Sequence, residues 1–268
     1  MSRISRVASA IPGMFRVGLA AALAYRSEFV IWVLTTNMPL VMLALWTAVA
    51  REAPVGPYRQ GDFAAYFVSA LIVRLLTSSW VVWEMNFEIK QGTLSMRLLR
   101  PIHPFLSYAI DNLAALPMRI VLALPIAVIA LAAIGTRHLT HDPVAWAVLP
   151  FALTGAWAVN FCVMALVGTL GVFLESSLAI FDAWLAFYFV FSGYNLPLEL
   201  LPKPILAVAR WLPFRYLLSF PVEIMTGHLT RTAIFTGLAV QWGYAFGVCA
   251  IALRMWRAAV ARFAAYGG

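Results

Sequence analysis

The sequence predicts an all-α integral membrane protein with six transmembrane helices. An N-terminal interfacial helix precedes them, and a re-entrant helical hairpin separates helices five and six. Three observations carry that reading. Hydrophobic residues make up 63% of the 268, and the mean hydropathy of +0.87 lies well beyond a soluble domain. Residues 29–49 and 234–253 carry no charge, and each run reaches the roughly 20 residues a helix needs to cross the hydrocarbon. Finally, Pro197, Pro202, Pro204, Pro213 and Pro221 divide an otherwise apolar and aromatic segment.

Residues 14–28 read as a helix too polar to cross, because Arg16, Arg26 and Glu28 punctuate an Ala/Leu-rich body. An inward extension of the first span is the alternative. Arg16 also interrupts what would be the apolar core of a signal peptide, so retention of the N-terminus is expected. The spans follow at residues 29–50, 63–82, 104–134, 144–174, 177–192 and 233–256. The fourth is too long for one upright crossing and is expected to kink, tilt or lie at the interface near Pro150.

Between spans two and three lies WEMNFEIKQGTLSMRLLRPIHP, residues 83–104. Glu84, Glu88, Lys90, Arg97 and Arg100 concentrate there in a chain only 11% charged. Glu84 and Glu88 share a helix face at i,i+4, and Gly92 ends or bends that helix. Residues 93–99 form a second short amphipathic piece with Leu94, Leu98 and Leu99 on its apolar side. Pro101 and Pro104 then restrict the chain before it re-enters the bilayer. Alternating apolar and charged residues suit docking onto a soluble partner, whereas a solvated loop would not need them.

Residues 194–228 cannot form one helix, since each proline lacks an N–H and clashes with the preceding turn. Two short helices that dip into the outer leaflet and return reconcile the prolines with the apolar character. An external loop with an apolar underside is the alternative.

Six spans put both termini on the side of the 83–104 loop. That side holds ten Lys and Arg residues, crowded at span ends. The other holds seven: Arg51, Arg59, Arg137, Lys203, Arg210, Arg215 and Arg231. The bias places both termini in the cytoplasm. The net charge of +8 is scattered over loops, so it points to topology and not to nucleic acid.

Enzyme signals are poor. The chain has no GxSxG, HExxH, zinc-type cysteine spacing or phosphate-binding GxxxxGK[ST] loop. His138, His141 and Asp142 (HLTHD) are weak as metal ligands and read as a solvated loop. Cys162 and Cys249 read as small apolar residues. Arg74 and Arg119 fall inside spans, where a charge costs about 2.5–3.5 kcal/mol on insertion scales and often marks a pathway. Structural pairing of Arg74 with Asp111 or Asp182, and snorkelling of Arg119, are the alternatives. Asn195, Trp211, Phe214 and Tyr216 complete the candidate substrate path, although the aromatic residues would equally anchor their segment.

The chain resembles the ABC-2-type permeases, the membrane subunits of many ABC exporters. The likeness lies in ALAYRSEF before the first span, in LIVRLLTSSWVVWE running into EIKQGTLSMRLLRP, and in FSGYNLPLELLP, WLPFRYLLSFPVEIMTG and the closing RFAAYGG. It covers nearly the whole chain from about Ala22. The resemblance implies a single transmembrane domain over residues 1–268, with residues 83–104 as the coupling element seated in an ATPase subunit. Residues 194–228 would be the paired re-entrant helices of the external side. It further implies two ATPase copies, which bind the ATP and Mg, and a second permease subunit, identical or related. No cofactor is expected on this chain.

On that reading the chain is an exporter subunit in the cell membrane, with Glu84, Glu88, Lys90, Leu94, Arg97 and Arg100 coupling it to ATP hydrolysis. A hydrophobic or amphipathic substrate, such as a lipid, glycolipid or drug-like compound, suits its few intramembrane charges. Two other classes compete: an intramembrane lipid-modifying enzyme using Asp111, Asp182 or the HLTHD loop, and a non-transporting anchor for an ATPase.

Overall fold

The computed structural model describes residues 3–24, 38–134, 136–174 and 177–266, and contains no β-strand among them. Helix α1 spans Arg3–Ala24, α2 Met38–Glu52 and α3 Gln60–Thr77. A break at residues 78–80 separates α3 from α4, Val81–Lys90, and a turn leads to the short α5, Leu94–Leu98. Then come α6, Pro104–Ala114, and α7, Leu116–Ile134. The long α8 covers Pro143–Leu170 and α9 covers Leu178–Phe191. Two short helices follow, α10 at Lys203–Ala209 and α11 at Ser219–Met225, before α12, Arg231–Tyr266.

Four stretches are long and apolar enough to cross a membrane: Gln60–Lys90, Pro104–Ala130, Pro143–Leu170 and Arg231–Phe263. Two shorter apolar helices, Ser9–Ala24 and Leu178–Phe191, accompany them. The expected first span lies partly outside the described residues, and α2 is its described portion. At about 1.5 Å per residue, the 14 residues of α9 extend about 21 Å, short of a typical hydrocarbon thickness. The sequence-based spans also need correction in detail. The second continues beyond residue 82 as a separate helix, and the third is interrupted at Ala115. Pro117 explains the interruption, because it has no N–H for the carbonyl of Leu113. Helix α8, by contrast, runs through Pro150 without a break.

Helix α8 is the centre of the bundle. It packs against α12 most extensively, and also against α3, α4, α9 and α11. Gln241 of α12 joins three elements, donating from Nε2 to the carbonyls of Ala152 (3.0 Å) and Tyr216 (2.8 Å). Helices α3, α8 and α12 run parallel and α6–α7 returns against them. One end therefore collects residues 53–59, 136–142 and 193–230. There Asp142 caps α8 through Val144 N (3.0 Å) and pairs with Arg231 at 2.8 Å, while Thr140 N donates to Met225 O (2.8 Å).

The segment after α9 folds back into this core. All seven residues of α11 are buried, and Glu223 among them pairs with Arg215 at 2.6 Å and accepts from Ser219 Oγ at 2.7 Å. Gly193 has φ +84°, a conformation that only glycine adopts without strain, and its carbonyl accepts from the Tyr66 hydroxyl at 2.9 Å. Ser192 O accepts from Ser219 N at 3.0 Å. The end of α9 thus finds its hydrogen bonds in protein. At the N-terminus, α1 lies along α6, with Gly18 so close to Ala114 that a β-carbon there would not fit. It begins nearer the terminus than the helix expected at 14–28, and residues 25–28 of that expectation lie outside the described residues.

Candidate functional site

The charged stretch forms an elbow. Helix α4 leaves the end of α3, Gly92 turns the chain with φ +72°, and α5 returns beneath it. At the inner face of this elbow Arg97 is only 8% exposed. Its guanidinium donates to both carboxylate oxygens of Glu88 (2.6 and 3.0 Å) and to Glu84 (2.8 Å). It also reaches across to α6, to Asp111 (2.9 Å) and Ser107 (2.8 Å). The Tyr108 ring lies 3.8 Å from the guanidinium carbon, and its hydroxyl donates to Glu88. Burial favours the neutral form of Arg97, but the hydrogen bonds to Glu88 and Asp111 outweigh it and raise its pKa further. Arginine suits this position because its planar fork serves several acceptors at once.

Expectation and geometry part company at two residues. Arg97 and Leu94 were both expected to meet a partner, yet both point inward, and Leu94 is buried in the main core. Glu84 and Glu88 are half-buried partners of Arg97. The outward face consists instead of Phe87, Lys90, Met96, Leu99 and Arg100, with Phe87 63% and Leu99 80% exposed. A second anchor fixes the elbow from the other side. Asn86 Nδ2 donates to Ser177 Oγ (2.7 Å) at the start of α9, and Trp83 meets Phe181 edge-on.

The break between α3 and α4 has its own supports. Arg119 of α7, 1% exposed, donates from Nη1 to Ser78 O at 2.6 Å and lies over the Trp80 ring. Asn160 of α8 donates to Thr77 O at 3.1 Å. A helix C-terminus leaves unpaired carbonyls and a partial negative charge, so a cation and an amide are suitable partners. Arg119 is thus a capping residue for α3, the structural role that was the alternative to lining a path.

A cavity of about 550 Å³ opens beside this break. Thr77, Ser78 and Ser79 form its floor, α9 one wall, and Asn160 another. Arg74 projects into it, 5.0 Å from the Tyr194 ring, and Asn195 closes the far side. Of the candidate path residues, Arg74 and Asn195 therefore meet at one cavity. Trp211 is 82% exposed at the bundle end, Phe214 packs against Trp184, and Tyr216 packs against Phe220 and Tyr244. The last two are buried anchors of their segment.

The remaining candidates have other partners. His138 meets Asp62 at 2.8 Å, Asp142 meets Arg231, and Asp111 meets Arg97. No cluster of three or more His, Cys, Asp or Glu side chains suited to a metal occurs among the described residues. Sequence reasoning missed Ser107, Tyr108, Trp80 and Tyr194, and also Tyr188 of α9, which lines the cavity and hydrogen-bonds Arg74. For Ser107 and Asp111 a signal existed, since an i,i+4 polar pair at the start of an apolar span faces the preceding loop.

A polytopic helical membrane protein with a structured, charged elbow at one end of its spans is the class these features define. The family model described as ABC-2 family transporter protein matches residues 32–267, and the chain belongs to that family. No curated protein matches the sequence. The chain is accordingly a multi-pass membrane permease of an ABC transporter, a type of subunit whose family works with an ABC ATPase partner.

Proposed function

We propose that the chain exports a hydrophobic or amphipathic substrate by alternating access, driven by a separate ATPase through the α4–α5 elbow. Two permease subunits, identical or related, and two ATPase subunits would form the working unit in the cell membrane. Both termini and the elbow face the cytoplasm. Six crossings then use α2, the described part of the first expected span, with α3, α6–α7, α8, α9 and α12. Residues 194–228 re-enter the outer leaflet, which agrees with the buried α11 and with backbone groups of α9 that pair with protein.

The observation that carries this reading is the elbow's two-faced construction. Its inner face is tied by Arg97 to α6, while its outer face presents Phe87, Met96 and Leu99 with Lys90 and Arg100 beside them. Large apolar side chains with a cationic rim are what a protein–protein contact requires. A partner that moves this face moves α6 with it. It shifts the access equilibrium only by as much as its contacts differ between the two states.

The test is substitution of Phe87 and Leu99 by Asp. Both side chains are exposed, so the isolated chain should keep its thermal midpoint, within about 0.5 kcal/mol of stability. The ATPase subunit should fail to co-purify, and substrate-stimulated ATP hydrolysis should vanish. Normal assembly and coupling in the double variant would remove the elbow from the proposal.

A further inference from the structure

We propose that the cavity beside the break in α3 binds an amphipathic anion, with its acid head on Arg74 and its apolar body along α9. That this ligand is the transported cargo rests on the permease reading; the binding itself does not.

Charge is the first argument. Arg74 is the one charged side chain on the cavity wall, which contains no Asp, Glu or Lys among the described residues. The other cations near this region have acceptors in hand. Arg119 holds the Ser78 carbonyl, Arg97 holds three carboxylates, and Arg215 holds Glu223. Among the described residues the partners of Arg74 are instead neutral: it lies over the Tyr194 ring and hydrogen-bonds the Tyr188 and Tyr194 side chains, with no described carboxylate in contact. A cation kept at membrane depth without an opposite charge is costly, and an anionic ligand would relieve that cost.

Polar groups line the same cavity. The Ser79 hydroxyl and Asn195 Oδ1 are buried without hydrogen-bond partners, and both residues line the cavity. The hydroxyl is a donor for an acid oxygen. The amide oxygen is an acceptor for a hydroxyl on the head, which a phosphate monoester in its monoanionic form carries. Buried polar atoms in native structures are rarely left unpaired, so two orphaned atoms on residues of one cavity wall mark a place for a polar ligand.

The rest of the wall is apolar. Phe181, Trp184, Leu185 and Phe189 of α9 line the same space. About 550 Å³ lies within the roughly 300–1,000 Å³ typical of small-molecule sites. A cation with polar groups and an apolar stretch of α9 in one cavity select an amphiphile over a free inorganic anion.

The experiment is a thermal-shift titration of the full-length chain in discs of zwitterionic lipid. Decyl phosphate, inorganic phosphate, decyl maltoside and decyltrimethylammonium are compared. Decyl phosphate should give a saturable rise in midpoint, with inorganic phosphate at least about tenfold weaker and the other two without saturation. Arg74→Gln should weaken decyl phosphate by about tenfold or more, the scale of a lost charge-assisted bond, and Arg74→Lys by less. Leu185→Trp, which fills the apolar end and leaves the cation intact, should also abolish the shift. It serves as the check should Arg74→Gln fail to fold. Equal shifts from the cationic or neutral amphiphile, or shifts untouched by both Arg74→Gln and Leu185→Trp, would overturn the site. Saturable binding that leaves ATP hydrolysis in the assembled complex unchanged supports the site and removes its role as cargo site. No binding to a chain that still assembles with its ATPase removes the site and leaves the permease reading standing.

Discussion

Arg97 shows how much one side chain decides. It stands between two carboxylates of α4 and one of α6, and without it three acids would face one another in a half-buried pocket. Breaking such a pair by removing one partner costs about 3–5 kcal/mol when the residual charge stays buried. Arg97→Met should therefore lower the thermal midpoint of the detergent-solubilised chain sharply. Arg97→Lys should recover little of it, because a point charge cannot serve Glu84, Glu88, Ser107 and Asp111 together. A lysine variant as stable as the parent would show that charge alone holds the elbow. The charges themselves were plain in the sequence, but the direction of Arg97 was not. Its partner Asp111 lies 14 residues away on another helix, a relation that no helical period encodes.

At the scale of elements, helix α6 begins on a titratable cap. The His103 ring accepts from Phe105 N at 3.2 Å, and Pro104 occupies the first helical position, where no N–H is needed. Burial, and then the nearby Arg257, lower the His103 pKa from its ordinary 6.5. The folded state thus disfavours protonation. Its contribution to stability is complete above about pH 6.5 and is lost as pH falls through the lower folded value. His103→Asn keeps a capping acceptor without a titration. Between pH 7.5 and 5.5 the parent should lose more thermal stability than this variant, and parallel slopes would refute the role. The elbow's ends were legible, since Gly92, Pro101 and Pro104 are strong punctuation. The break at residues 78–80 was not. Ser78 and Ser79 are weak breakers, and the side chain that stabilises the open carbonyl arrives from Arg119, 41 residues later.

For the molecule as a whole, the placement of its two ends is the largest claim. Met96 on the elbow and Trp211 at the opposite end are both strongly exposed. In a variant lacking Cys162 and Cys249, Met96→Cys should react with a membrane-impermeant thiol reagent only from the cytoplasmic side. Trp211→Cys should react only from the other. Labelling of both from one side would overturn the six-crossing arrangement. Composition revealed the membrane environment, and the prolines revealed the interrupted segment. The depth to which that segment sinks came from contacts the sequence does not announce, such as Tyr66 with Gly193 and Gln241 with Tyr216.

The interruption between α3 and α4 has a mechanical meaning as well. A continuous helix that kinks sharply interrupts its own ladder, at about 1 kcal/mol for each bond left unmade. Here the ladder already stops at Thr77 and Ser78, and its loose carbonyls are held by α7 and α8. The elbow hangs from a joint whose bonds were exchanged when the chain folded. In the proposed cycle, a push delivered to the elbow would reach α6 through Arg97 and α9 through Asn86 without first tearing α3.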